Sequence, residues 1–69
     1  MEKFNSTDPV ETVVQYNELQ MVSLGWAKYY ETGTDAVIMM QWRKGTRMAN
    51  ISVMIGGNGT DIIVMQTNL

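Results

Sequence analysis

The sequence predicts an α+β fold: one N-terminal helix packed on a four-stranded antiparallel β-meander, in the order α-β-β-β-β. Three observations carry this. Apolar residues recur at helical spacing from Val10 to Leu24 and stop at Gly25. From Trp26 onward the apolar period changes to two. Two short glycine-containing segments, Lys44-Gly45 and Gly56-Gly57-Asn58-Gly59, then divide the apolar runs at hairpin spacing.

Residues 1–7 read as a short flexible lead, polar except for Met1 and Phe4. Asp8-Pro9-Val10-Glu11 reads as a helix start. Asp8 is the expected N-cap, Pro9 suits the first helical position, and Glu11 favours the positive end of the helix dipole. The helix is predicted over about 9–24, with Gly25 as left-handed C-cap. A projection at 100° per residue puts Val10, Val13, Val14, Met21 and Leu24 on one stripe. Asn17 falls inside that stripe, where it meets a buried partner or fixes register at an interface. Leu19 and Val22 fall outside it.

The strands are predicted at about 26–31, 36–43, 47–55 and 60–66, within one domain spanning 1–69. The turns are Thr32-Gly33-Thr34-Asp35, Lys44-Gly45 and the glycine-rich segment, with Asn58-Gly59 suited to positive φ. Ala49, Ile51, Val53 and Ile55 form the expected helix-facing side of the third strand. Its other side carries Met48, Asn50, Ser52 and Met54. The second strand is apolar on both sides, and a single helix covers only one. A misassignment of register by one residue would exchange the two faces.

Composition excludes most side-chain catalysis. The 69 residues contain no Cys and no His, which removes the thiolate nucleophile, the commonest general base and the commonest zinc ligands. The seven carboxylates show no paired or calcium-loop spacing. The glycine-rich segment precedes a strand, not a helix, so it is not a phosphate cradle. No catalytic residue, cofactor or metal is expected, and the chain is not expected to be an enzyme. The net charge of −2 argues against bulk attraction to nucleic acid or to an anionic membrane. No apolar run reaches membrane-span length, and the N-terminus lacks an apolar signal segment, so a cytoplasmic location is the expectation.

Two surface sets stand out. Leu19, Val22, Val37, Met39, Met48 and Met54 are candidate interface residues, because clustered exposed apolar side chains mark contact surfaces and methionine adapts to irregular partners. Trp42, Arg43, Lys44 and Arg47 form a candidate basic patch, since an aromatic beside cations can stack bases and hold phosphates. A third possibility is an apolar pocket between helix and sheet, lined by Met21, Trp26, Met40 and Trp42.

The run from Val13 to Trp26, with Tyr16, Leu19, Leu24 and Gly25-Trp26 at its marked positions, resembles helix-plus-β-meander modules. Such modules occur in bacterial envelope-associated proteins and in small standalone proteins of unknown function. The Lys44-Gly45 and Gly56–Gly59 hairpins extend the resemblance over residues 9–66. It implies the fold, with Trp26 packing where the chain enters the sheet, and it brings no functional residues. The chain departs from the envelope pattern in having no lipid-attachment cysteine. The leading expectation is therefore a non-enzymatic module, a homo-oligomer or the binder of a protein partner. Nucleic-acid or anion binding is the second reading and a small hydrophobic ligand the third.

Overall fold

The computed structural model describes residues 2–68. It contains strand β1 (Glu2–Ser6), helix α1 (Val10–Ser23) and strands β2 (Ala27–Gly33), β3 (Val37–Lys44), β4 (Arg47–Gly56) and β5 (Gly59–Asn68). The sheet has five strands, not four, in the order β1-β5-β4-β3-β2, and every neighbouring pair is antiparallel. The additional strand comes from the lead that reads as flexible. Glu2 to Ser6 pairs with β5, from Glu2 opposite Val64 to Ser6 opposite Thr60. The open edge of β5 supplies the ladder that EKFNS, with one apolar residue, does not announce by itself.

This topology explains why one face is covered. β1 and β2 lie on opposite edges of the sheet and run in the same direction. The connection between them must return diagonally across the sheet, and α1 makes that crossing. Val13 is buried there, with Val10, Val14 and Met21 packed around it. The sheet contributes Met40, Trp42, Ala49, Ile51 and Val53 to the same core, flanked by Ile38, Ile62 and Val64. Ala49, Ile51 and Val53 lie on the expected side. Ile55 shares their parity but is 63% exposed, because it extends past the end of the helix.

The helix ends differ from each other. Asp8 does not cap: Pro9 is the N-cap residue, in extended conformation, and no side-chain cap bond forms. The Asp8 backbone N–H donates instead to Ser6 Oγ at 3.1 Å. At the other end, Gly25 has a φ of 88°. Its N–H donates to Val22 O, and the Trp26 N–H donates to Met21 O at 2.9 Å. This is a Schellman closure, with Trp26 and Met21 as its apolar pair. Leu24, expected on the buried stripe, is the C-cap residue and is 58% exposed. The Lys44 ammonium donates to its carbonyl at 2.7 Å, placing a cation at the negative end of the helix dipole.

The turns are shorter than the sequence implies. Thr32 and Gly33 belong to β2, opposite Met39 and Ile38. Lys44 pairs with Arg47, so the first hairpin loop is Gly45-Thr46, with Gly45 at a φ of 62°. Gly56 pairs with Gly59, so the second loop is Gly57-Asn58, and Asn58 needs no positive φ. β2 begins at Ala27 and carries a bulge at Tyr29, which breaks the period-two reading of that strand.

Candidate sheet-face interface

The strand pairings assign every side chain to a face. Val37, Met39, Gln41 and Arg43 on β3 share a face with Met48, Asn50, Ser52 and Met54 on β4. Asp61, Ile63, Met65 and Thr67 on β5 extend it, followed by Ala27, Tyr30 and Thr32 on β2 and by Lys3 and Asn5 on β1. This is the face opposite α1, and no described element covers it. Four of the chain's seven methionines lie on it: Met39, Met48, Met54 and Met65. Met39 and Met65 are about half exposed, at 47% and 51%. Met48, Met54, Val37 and Ile63 are partly buried, with Val37 directly opposite Met54. Polar Gln41, Asn50 and Ser52 sit in the middle, beside a shallow depression that Tyr30, Thr32 and Met39 also line.

The six candidate interface residues therefore form two surfaces. Val37, Met39, Met48 and Met54 belong to the outer sheet face. Leu19 and Val22, 73% and 64% exposed, lie on the far side of the helix, beyond the core. Ile63, Met65, Tyr29 and Tyr30 join the sheet set unannounced. Period two in β5 was the available signal for Ile63 and Met65; the bulge hid the two tyrosines.

The structure distributes the candidate basic patch. Trp42 is 1% exposed, so no base can stack on it. Lys44 is held by Leu24 O. The Arg47 guanidinium donates to Gln66 Oε1 at 3.2 Å and lies 5.4 Å from the Trp26 ring centroid, on the helix side of the sheet. Arg43 is on the opposite face, its guanidinium 3.9 Å from the Tyr29 ring centroid. Its Nε is buried and has no hydrogen-bond partner among the described residues.

The proposed apolar pocket is also relocated. Met40, Trp42 and Trp26 are packed core residues. The groove that the fold leaves between helix and sheet lies toward β1. It holds about 350 Å³ and is lined by Phe4, Val13, Tyr16, Ile62 and Val64, with Asp8 and Asn17 among its polar residues. Asn17 is half-buried, and its amide donates to Val13 O within the helix at 3.1 Å.

One ionic cluster ties the helix to the sheet edge. The Lys28 ammonium donates to Glu31 at 2.7 Å and to Glu18 at 2.9 Å, and lies 5.6 Å from the Trp42 ring centroid. Burial works against its charge, but the hydrogen bonds to Glu31 and Glu18 outweigh it and raise its pKa above the ordinary lysine value. Among the described residues no group of three or more Asp or Glu side chains gathers in a metal-binding arrangement, and no helix is long and apolar enough to cross a membrane. The chain matches no family model, no curated protein and no solved structure.

Proposed function

We propose that this chain is a non-enzymatic protein-interaction module that docks through its outer sheet face. The observation that carries the reading is the set of four methionines, with Val37 and Ile63, on a face that α1 cannot reach. An antiparallel sheet open to water on one side ordinarily alternates apolar and polar residues. This one carries six apolar side chains, Val37, Met39, Met48, Met54, Ile63 and Met65, among the twelve outer positions of β3, β4 and β5. Apolar surface gathered in one patch marks a contact site, and methionine fits partners of irregular shape. The test is a photo-cross-linking amino acid placed at Met48, with a second at Leu19 as control, expressed in the native host. Protein adducts at position 48 and few at position 19 are expected. Adducts confined to position 19, or none at either position, contradict the reading.

A further inference from the structure

We infer that Asn58 is a site of spontaneous deamidation, and that its isoaspartyl product releases β1 from β5.

The chain has five asparagines, and the structure separates one from the other four. Asn5 lies in β1, and its amide donates to Asp61 Oδ1 at 2.9 Å. Asn17 lies in α1, and its amide donates to Val13 O. Asn50 is partly buried in β4, opposite Gln41 and Met65. Asn68 pairs with Arg47. Asn58 alone stands in a loop, the two-residue connection Gly57-Asn58, and it is exposed. Among the described residues its carboxamide makes no hydrogen bond.

The residue that follows each asparagine decides the chemistry. Cyclisation needs the next backbone nitrogen to reach the carboxamide carbon, and a Cβ on the next residue obstructs that approach. Ser6, Glu18, Ile51 and Leu69 each have one. Gly59 has none. On the other side of Asn58, Gly57 has open space around it, so the loop has room to turn.

The step balances without an oxidant or cofactor. The Gly59 nitrogen gives its proton to hydroxide and attacks Asn58 Cγ. The new N–Cγ bond forms, the Cγ–Nδ2 bond breaks, and ammonia leaves with a proton taken from water. Water then opens the cyclic imide at one of its two carbonyls. Opening at Cγ leaves an aspartate. Opening at the main-chain carbonyl leaves an isoaspartate, whose main chain runs through Cβ and Cγ.

The extra main-chain atom falls where the fold has no slack. Gly56 pairs with Gly59 across the short loop, so a longer path displaces Gly59. Gly59 packs on the Ser6 backbone so closely that even a Cβ there would collide with the Ser6 carbonyl oxygen. Ser6 is the last residue of β1 and stands opposite Thr60. Charge works in the same direction. Both products add a carboxylate to a hairpin that already holds the Asp61 carboxylate against Gly56. Gly59 also lines a depression with Asp8, Glu11 and Asp35.

The test ages the full chain in buffers from mildly acidic to mildly alkaline. Peptide mass spectrometry maps the exchange of amide for acid, and labelling by an isoaspartyl methyltransferase marks isoaspartate. Conversion at position 58 is expected, with the other four asparagines unchanged. Its rate should rise about tenfold per pH unit, as the ionised fraction of a weak acid does below its pKa. Asn58→Gln is expected to stay intact. No conversion at position 58, or conversion at Asn5 or Asn50 at the same rate, overturns the assignment. Hydrogen exchange then compares the purified isoaspartyl form with Asn58→Asp, which carries the charge without the extra main-chain atom. Faster exchange at the β1 amides of the isoaspartyl form is expected, with β3 and β4 protected in both. Exchange at β1 no faster than in Asn58→Asp overturns the release.

Discussion

Thr60 fastens the N-terminal strand to the fold through one hydroxyl. It is 1% exposed, and its Oγ1 donates to the Asp8 carbonyl at 2.6 Å, closing the passage from β1 into α1. Thr60→Val keeps the shape and orphans that carbonyl, so a loss of about 1–2 kcal/mol is expected in urea unfolding. Its neighbour Gly59 acts through space. A Cβ there would collide with the Ser6 carbonyl oxygen, and its φ of 145° is one that side chains rarely adopt. Gly59→Ala should therefore push β1 off β5 before it disturbs the rest. The expected signature is faster hydrogen exchange at the β1 amides with β3 and β4 still protected. Uniform acceleration across the sheet would show that β1 is part of one cooperative unit.

Elements differ in how clearly the sequence displays them. α1, β3 and β4 are plain because each buries a stripe, and burial imposes a period. Val13 with its neighbours marks the helix; Met40 and Trp42, and Ala49, Ile51 and Val53, mark the central strands. β1 and β2 are edge strands. Every residue of β2 is exposed, and β1 is nearly so, which leaves little burial to write an alternation. The same reason hides the outer-face tyrosines behind the Tyr29 bulge. The outer-face positions of β3 and β4 are legible in the sequence, while Ile63 and Met65 on β5 and the two tyrosines on β2 are not picked out by it.

Lys28 compensates for that weak edge by joining β2 to α1 through Glu18, while Glu31 of the same strand holds its ammonium in place. Its raised pKa fixes the sign of the pH dependence. The stabilisation is fully present below the ordinary lysine value and is lost as pH rises through the raised one. Lys28→Gln should cost about 0.5–1 kcal/mol at neutral pH, the range of a partly exposed ion pair. The difference from wild type should vanish in strongly alkaline solution. A difference that persists there would assign the lysine's contribution to packing on Trp42.

At the scale of the whole molecule, one crossing helix divides the sheet into two unlike sides. The inner side is a finished core with both tryptophans inside it. The outer side is methionine-rich and mixed in polarity, with Arg43, Lys3 and Asp61 among its apolar side chains. A chain of 69 residues without cysteine buries little surface alone and gains from association. The most direct measurement is the yield of protein adducts from a photo-cross-linking amino acid at Met48 in the native host, taken with and without Met54→Glu. The account predicts adducts in the chain that keeps Met54 and their loss in the variant. No adducts in either chain, or adducts indifferent to the added charge, would contradict it.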